Sequence, residues 1–218
     1  TQDNLDEWMK CRDDIVYFAK NYVKIKHIDR GLVDFDMYDY QERLVRQLQA
    51  ERFSIVNTAR QVGKTITTVT FLLHFILFNP YKDVGILANV GSTARKILAK
   101  LQLAYENLPI WLQQGVVEWN KGNIELENGS KVIATSTSSS AARGDSFAVV
   151  FVDEAAFIGT NMWEEFYTSV YPTISSGKES KIILVSTPNG LNHFYKLFTF
   201  AMAGKNDYVP FTVTWKDV

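Results

Sequence analysis

The order of hydrophobic and polar residues along the chain predicts helices and strands that alternate. Apolar residues recur at three- and four-residue steps within 1–30, which predicts a helical segment with one apolar stripe. An amphipathic helix is predicted over 40–52, followed by a short buried strand over 53–57 with β-branched residues at its centre. Further buried strands are predicted over 83–88, 148–153 and 181–186, and further helices over 64–78 and 92–107.

Two shorter segments are predicted to form a hairpin. Residues 124–127 and 131–135 alternate between apolar and polar side chains, and Asn128-Gly129 between them is the strongest short hairpin signal. Helices separate the other strands, which predicts an α/β fold with a mostly parallel sheet flanked by helices. We also expect an irregular link over 32–40 and a functional serine-rich loop over 136–143.

Composition is typical of a packed globular chain without a strong global charge. Apolar residues make up 46% and charged residues 22% of the 218 residues, and the formal net charge is −1. These proportions exclude a disordered or collagen-like chain. A balanced charge provides no strong field for nucleic acid or membranes, so any polyanion contact must come from a local patch, other domains or oligomerisation. The single cysteine, Cys11, excludes an internal disulfide framework and suits a reducing cytoplasm.

The hydrophobic runs are too short for a membrane span. The longest run, over 71–78, contains His74 and falls below the roughly 18 to 20 residues that a span needs. The acidic N-terminus does not resemble a secretory signal. Because the chain starts without methionine and ends without a closing signal, we expect it to be a fragment of a longer protein.

A phosphate-binding loop is predicted between the strand over 53–57 and the helix over 64–78. Thr58 stands where the usual motif has its first glycine. Gly63 lets the backbone approach phosphates, and successive amides and the helix N-terminus offer positive dipoles. We expect Lys64 to pair with β- and γ-phosphate oxygens and Thr65 to join the shell of Mg²⁺. The predicted nucleotide-binding residues of the loop are Ala59, Arg60, Gln61, Val62, Gly63, Lys64 and Thr65.

Two adjacent acids end the apolar strand over 148–153. Phosphoryl transfer to water needs a carboxylate that holds the metal and a group that activates the water. We expect Asp153 to reach Mg²⁺ through water and Glu154 to face the γ-phosphate as the catalytic acid–base group. Acids also end strands as helix caps, but the phosphate loop upstream favours the catalytic interpretation.

Two further signals are weaker when taken alone. The strand over 181–186 leads into a segment whose hydroxyls and amide could sense the γ-phosphate, although an ordinary Pro-Asn-Gly turn is the simpler interpretation. Upstream of the phosphate loop, Gln41 could read both edges of adenine and Tyr40 could stack on the base. The predicted coupling residues are Val185, Ser186, Thr187 and Asn189.

Two arginines are candidates for neutralising charge during hydrolysis. Arg60 lies inside the phosphate loop and could reach the γ-phosphate of its own subunit. Arg143 lies in a loop shortly before Glu154, as a residue offered to a neighbouring subunit would. A solvated surface arginine is the alternative for Arg143.

Taken together, these motifs resemble the ATPase domain of bacteriophage large terminases. Three stretches carry the resemblance in order and spacing: Arg60-Gln-Val-Gly-Lys-Thr65, Phe151-Val-Asp-Glu154 and Ser186-Thr-Pro-Asn-Gly190. Three more are similar to the T-even phage members: Ile25-Lys-His-Ile-Asp-Arg-Gly31, Val117-Glu-Trp-Asn-Lys-Gly122 and Pro188-Asn-Gly-Leu-Asn-His-Phe-Tyr195. The resemblance covers essentially the whole chain and is more specific than any single motif.

The resemblance implies a P-loop ATPase of the additional-strand, catalytic-glutamate type that uses ATP and Mg²⁺. It implies a core over about 36–200 and a small lid-like subdomain formed by about 1–35 and the C-terminal end, and a C-terminal nuclease domain that this fragment lacks. Arginine at the place of Arg60 accounts for the absent glycine. The roles suggested above for the adenine-binding, metal-binding and catalytic residues match the family. Val185 departs from the small hydroxyl residues usual at the first coupling position. Either Arg60 or Arg143 would serve as the arginine finger.

The same resemblance implies a motor that threads double-stranded DNA through a portal protein into an empty capsid. The expected partners are the portal, the small terminase subunit and DNA, which would be gripped mainly by the absent domain or the assembled ring. The chain would form a homo-oligomeric ring on the portal, be monomeric in isolation and have no membrane partner. It would act in the host cytoplasm, docked transiently on the procapsid and absent from the mature virion.

Two alternative functions remain open from the sequence. A helicase-like DNA translocase would share the glutamine and phosphate-loop motifs, but it would need paired motor cores, and the chain has length for one. A docking module gated by nucleotide, without hydrolysis, would have no need for a water-activating acid such as Glu154.

Overall fold

The computed structural model describes residues 2–138, 146–175 and 177–218. Seven helices lie in these ranges: α1 (Gln2–Asp13), α2 (Ile15–Tyr22), α3 (Asp39–Ala50), α4 (Lys64–Phe78), α5 (Gly91–Glu106), α6 (Thr160–Ser175) and α7 (His193–Met202). The strands of the same ranges are β1 (Lys24–His27), β2 (Gly31–Asp34), β3 (Phe53–Thr58), β4 (Asp83–Ala88), β5 (Val116–Trp119), β6 (Asn123–Leu126), β7 (Lys131–Ser136), β8 (Val149–Asp153), β9 (Lys181–Ser186) and β10 (Val209–Val213). Short 3-10 turns cover Ala155–Phe157 and Trp215–Asp217.

The main sheet has eight strands in the order β10-β3-β9-β8-β4-β7-β6-β5. The six strands from β10 to β7 are parallel, and β6 and β5 extend the sheet in antiparallel fashion. β9 separates β3, which leads into the phosphate loop, from β8, which ends in Asp153. This is the additional strand that the resemblance implied. The prediction of an α/β fold with a mostly parallel sheet is confirmed.

Helices cover both faces of the sheet because successive residues of a strand point to opposite sides. Along β8, Val149 and Phe151 pack into a core shared with α1 to α5, whereas Val150 and Val152 pack with α6 and α7. α4, which is apolar on nearly every side, is buried in the first core. Among the helices described, none combines the length and the apolar character that crossing a membrane requires.

The N-terminal region differs from the single helical segment that was predicted. Asp14 interrupts it, because its side chain accepts hydrogen bonds from the amides of Val16 and Tyr17 and begins α2 as an N-cap. Residues 24–34 then form the antiparallel β1–β2 hairpin, in a region expected to be helical and irregular. Gly31 follows its turn with a φ of 72°. The hairpin contacts α5, so it lies beside the phosphate loop rather than apart from the core.

The C-terminal end also differs from its predicted place. Val209–Val213 pairs along its whole length with β3, so it belongs to the main sheet and not to a small subdomain. The predicted core boundary near residue 200 is therefore too early. The amide of Ala59, just after β3, donates to the carbonyl of Val213 and continues this pairing into the phosphate loop (2.8 Å).

Candidate active site

The phosphate loop connects β3 to the first turn of α4. Gln61 and Gly63 adopt left-handed backbone conformations, with φ of 60° and 81°. Left-handed residues in a loop turn successive amides toward a common point, which makes a concave site for anions. The N-terminus of α4 follows directly at Lys64 and adds the positive end of its dipole. The loop therefore offers its backbone to phosphate without the usual first glycine.

Gly63 is required by space as well as by backbone conformation. A Cβ at this position would lie 2.7 Å from Nε2 of Gln41 and 3.5 Å from the hydroxyl oxygen of Tyr40. Gln41 is held there because its Oε1 accepts the amide of Tyr38 at the start of α3 (2.9 Å). The amide group of Gln41 thus lies directly behind the phosphate loop.

The burial of Tyr40 and Gln41 departs from the predicted adenine contacts. Both side chains are almost fully buried, at 1% and 2% exposure, so neither presents a face on which a base could stack. Burial raises the pKa of Tyr40 to about 12. The capping of α3 turns these residues toward Gly63, and the exposed ring beside them is Tyr38, which stacks on Tyr40. In this conformation they support the loop rather than line a base site.

Lys64, Thr65 and Asp153 converge where β8 meets the phosphate loop. The Nζ of Lys64 lies 3.8 Å from Oδ1 of Asp153, and the Thr65 hydroxyl donates to Oδ2 across 3.5 Å. Asp153 is buried, and this burial raises its pKa, while Lys64 opposes the shift. A carboxylate removed from water beside a hydroxyl oxygen is a donor set that suits a hard divalent cation.

Glu154 follows with its backbone in the left-handed region, at a φ of 54°. Its amide donates to Oδ1 of Asp153 (2.9 Å) and its carbonyl accepts the amide of Phe157 (2.8 Å). Its side chain is exposed, unlike that of Asp153. The two adjacent acids therefore have separate environments, one buried at the end of β8 and one accessible to water.

The predicted coupling segment contacts both the phosphate-loop strand and the turn after Glu154. The Ser186 hydroxyl accepts the amide of Ala156 (3.1 Å), and the Ser186 carbonyl accepts the Thr58 hydroxyl (3.4 Å). Asn189 donates to the carbonyl of Ala156 (3.1 Å). Val185 is instead fully buried in the core with α1 to α5. Ser186 thus joins the two halves of the site, with its hydroxyl on the turn after Glu154 and its carbonyl on the end of β3.

A cavity of about 670 Å³ opens above the phosphate loop. Its walls are Gln61–Ile66, the β1 strand with Ile28, and the face of α5 that carries Lys100 and Leu103. The charge of Lys100 lowers the pKa of Asp153, against the effect of burial. Lys100 and the β1 lysines were not assigned to the site from the sequence. The turn signal at Asp29-Arg30-Gly31 marks the hairpin, but no local pattern distinguishes Lys100 from other helix-surface lysines.

The two predicted arginines differ in what the structure describes. Arg60 is exposed within the phosphate loop. Arg143 lies outside the described residues. The other predicted phosphate, metal and catalytic residues come together around the ends of β3, β8 and β9. Asn192 and His193, which belong to a quoted motif but received no role, also reach this region through hydrogen bonds to Ala156 and Ala155.

Comparisons with known proteins bear on this geometry. The family model described as terminase large subunit, T4likevirus-type, N-terminal, matches residues 55–218. The large terminase subunit of Thermus phage G20c is 37% identical over 62 residues, which are 28% of this chain and 12% of that protein. The matched segment thus spans a small part of the relative's length.

Solved structures share the fold at low sequence identity. The ATPase domain of the Thermus phage P74-26 large terminase has a TM-score of 0.64 and 20% identity, covering 82% of this chain and 81% of that one. The large terminase of the thermophilic bacteriophage D6E, in complex with ADP, has a TM-score of 0.63 and 14% identity, covering 83% of this chain and 46% of that one. The fold with its additional strand is therefore that of a terminase ATPase domain. Because the family model covers most of the chain, the resemblance is confirmed, and the chain belongs to the T4-like family of phage terminase large subunits, in the N-terminal region.

Proposed function

We propose that the chain binds ATP with Mg²⁺ above the phosphate loop and hydrolyses it to drive viral DNA into a procapsid. The observation that carries the proposal is the convergence of Lys64, Thr65 and Asp153 beside a cavity lined by the phosphate loop. Phosphoryl transfer depends mainly on positioning and on neutralising charge, and these groups supply both. The ADP complex of the D6E terminase supports a nucleotide as the ligand of this fold.

The phosphates would lie on the amides of the loop and against Lys64. Gln61 and Gly63 orient the backbone, and the Lys64 ammonium adds a charge that reaches β- and γ-oxygens. Lys100 and Lys26 extend positive charge along the cavity wall. The base and sugar would then occupy the part of the cavity under β1.

Thr65 and Asp153 would hold the magnesium ion. Their oxygen atoms are the hard ligands that Mg²⁺ prefers, and the raised pKa of Asp153 reflects a buried carboxylate that a divalent cation would stabilise in its charged form. When bound, Mg²⁺ neutralises charge on the β- and γ-phosphates. Lys64 contributes the second positive charge to the same carboxylate.

Glu154 would activate the attacking water. Its accessible carboxylate follows immediately after the buried Asp153, so a water could lie between it and a γ-phosphate. Arg60 is the arginine available within the same loop, and Arg143 stays a candidate from the sequence for action across a subunit boundary. Ser186 and Thr187 would transmit loss of phosphate from the site to the segment that follows β9.

The wider role follows from membership of the terminase family. We propose that the chain works as part of a homo-oligomeric ring on the portal, with the small terminase subunit and double-stranded DNA as partners. It would act in the host cytoplasm while docked on the procapsid and be absent from the mature virion. A net charge of −1 fits a main DNA grip in another domain or in the assembled ring.

Phosphate release from MgATP, measured against protein concentration, tests the proposal. We expect turnover by the unchanged chain and a loss of about 10²-fold or more in Glu154→Gln, because the general base is removed. Glu154→Gln should still bind ATP in a calorimetric titration. Specific activity that rises with concentration only while Arg143 is present would assign the finger to Arg143. A concentration-independent rate that falls in Arg60→Ala would assign it to Arg60.

Three results would contradict parts of the proposal. Hydrolysis by Glu154→Gln at the unchanged rate would remove the catalytic role of Glu154. ATP binding without phosphate release, even with DNA and portal present, would favour a nucleotide-gated docking module. Processive strand separation by a single chain would favour a helicase-like translocase.

A further inference from the structure

The turn that follows Glu154 is held by side chains from a distant segment of the chain. Ala155–Phe157 forms this turn, and four hydrogen bonds join it to the segment over 186–193. The amide of Ala156 donates to Ser186 Oγ, and its carbonyl accepts Asn189 and Asn192. The turn is therefore fixed by the end of β9 and the start of α7.

Asn192 makes the shortest of these contacts and has two roles. Its Nδ2 donates to the carbonyl of Ala156 at 2.6 Å and to that of Asn189 at 3.0 Å. Its Oδ1 accepts the amides of Phe194 and Tyr195 as the N-cap of α7. One side chain thus joins the start of a helix to the turn that follows Glu154.

His193 fixes the carbonyl of Ala155, the residue before Ala156. Its Nε2 lies 2.8 Å from the carbonyl oxygen of Ala155, so that nitrogen carries the proton and donates. The ring stacks on Trp163 of α6 with centroids 4.3 Å apart and planes at 17°. The imidazole is thereby held in one orientation between two helices of the second core.

These contacts explain how Glu154 keeps an unfavourable backbone conformation. A residue with a side chain in the left-handed region costs about 1–2 kcal/mol and persists when its surroundings determine it. The carbonyls of Ala155 and Ala156 cannot rotate without losing Asn192 and His193. A change at Glu154 toward an ordinary backbone would move its carboxylate relative to Asp153.

We propose that Asn192 and His193 are positioning residues for the carboxylate of Glu154. This inference rests on the hydrolysis proposed above. Neither side chain needs to touch the nucleotide. Their effect is on the geometry of the water-activating group, so it should appear in the rate of the chemical step and not in nucleotide binding. Any shift of α7 is transmitted to Glu154 through the same hydrogen bonds.

The test compares Asn192→Ser with Asn206→Ser. Serine is a good N-cap and preserves the acceptor, but it is too short to donate to Ala156. Asn206 has the same chemistry beyond the other end of α7, since it donates to the carbonyl of Leu197 and accepts the amide of Tyr208. We expect kcat to fall about tenfold or more in Asn192→Ser, with KM and the ATP dissociation constant within about twofold. Asn206→Ser should keep the unchanged kcat.

A second pair of variants separates the hydrogen bond of His193 to Ala155 from the stacking of its ring on Trp163. His193→Phe keeps an aromatic ring against Trp163 but loses the donor, whereas His193→Gln keeps a donor amide. We expect His193→Phe to lower kcat and His193→Gln to recover part of it. This pair remains informative if Asn192→Ser does not fold.

Hydrogen exchange provides a readout that does not depend on hydrolysis. Peptides containing 154–158 should exchange faster in Asn192→Ser than in Asn206→Ser. Equal exchange and equal kcat in the two variants would overturn the positioning role while leaving the proposed ATPase intact. An unchanged chain that never hydrolyses ATP would overturn the proposed function, and faster exchange alone would then still support control of the turn by Asn192.

Discussion

Two cavities lined by positive side chains lie at opposite ends of the parallel strands. The one at the carboxyl ends, above the phosphate loop, contains Lys24, Lys26, Lys64 and Lys100. The other, of about 540 Å³ at the amino ends, contains Arg12, Arg52, Lys82, Lys178 and Lys181. Glu179 also lines the second cavity, so the two linings carry the same net charge, and charge alone does not distinguish them as anion sites.

Partners of the positive groups distinguish the two cavities. At the amino ends, Arg52 donates to the carbonyls of Gly177 and Ser180, and Lys181 donates to those of Gln49 and Glu51. At the carboxyl ends, Lys24 pairs with the exposed Asp34 at 3.7 Å and Lys64 has one carboxylate at 3.8 Å. Lys26 and Lys100 form no hydrogen bond or ion pair within the described part of the chain. Backbone carbonyls therefore already hold Arg52 and Lys181 at the amino ends, whereas within the described residues no lysine of the carboxyl-end cavity donates to a carbonyl.

Removing one lysine from each cavity should show most clearly how the two cavities differ. We expect Lys64→Ala to lower ATP hydrolysis by about 10²–10³-fold, because a charge that faces the transferred phosphate is lost. Lys181→Ala should keep the rate but destabilise the fold by about 1–3 kcal/mol, because two carbonyls lose their donor. Phosphate release and urea unfolding measure the two effects. A Lys181→Ala chain that folds stably and fails to hydrolyse ATP would contradict the assignment of hydrolysis to the carboxyl-end cavity alone.

Acid should lower the free energy of unfolding by protonating His74, which lines the cavity at the amino ends of the strands. Burial lowers its pKa to about 4, while its Nε2 contacts the carbonyl of Cys11 (2.9 Å). The unfolded chain binds this proton at an ordinary pKa near 6.5, so the stability is present above pH 6.5 and is lost as the pH falls toward 4. The free energy of unfolding should fall by about 3 kcal/mol over this range. Unfolding free energies from pH 7 to 4 test this, and His74→Gln, which keeps a donor without titrating, should flatten the profile.

A methyl group at Gly63 should affect the carboxyl end through both strain and contact. Gly63→Ala places a side chain at a φ of 81° and 2.7 Å from Gln41, so we expect a loss of about 1–2 kcal/mol and weaker ATP binding. Gly204→Ala has a φ of 65° but no atom within 4 Å of the new Cβ. Gly204→Ala should therefore lose stability through backbone strain but bind ATP as tightly as the unchanged chain. Equal ATP affinities in the two variants would mean that the contact with Gln41 does not matter.

The smallest effects are expected at Lys100, which is exposed, and at Lys82, which is half-buried. Lys100→Gln should weaken ATP binding only a few-fold and reduce its dependence on salt, because the charge acts across the cavity through water. Lys82→Gln at the other end removes an ion pair with the exposed Glu179 and should change neither binding nor stability measurably. Titrations at low and high salt separate the two. A salt-independent loss in Lys100→Gln would indicate a direct hydrogen bond instead.

The elements that were predicted correctly carry their own local signals. β4, β8 and β9 are continuous apolar runs, and α4 is apolar throughout. β10 was missed because it contains Pro210, which argues against a strand in a sheet interior. Its position at the edge tolerates the proline. The β1–β2 hairpin was missed because its short, mixed strands fit within a longer helical stripe.

The residues of the candidate site could likewise be predicted only where a local pattern marks them. Lys64 and Thr65 follow from one loop motif, and Asp153 and Glu154 from the end of one strand. The burial of Gln41 depends on its hydrogen bond to Tyr38 and on Gly63, which comes later in the chain. The contacts of Asn192 and His193 join residues more than thirty positions apart. Such pairings arise from tertiary packing, which a local pattern does not encode.

The pairing of β10 with β3 has a mechanical consequence. Five residue pairs, from Val209 with Ser54 to Val213 with Thr58, join the C-terminal strand to the strand that ends in the phosphate loop. A pull directed along the axis of β10 loads these hydrogen bonds together in shear, rather than one after another as in unzipping. Tension applied beyond Val213 therefore reaches the base of the phosphate loop as a stiff, nearly direct load.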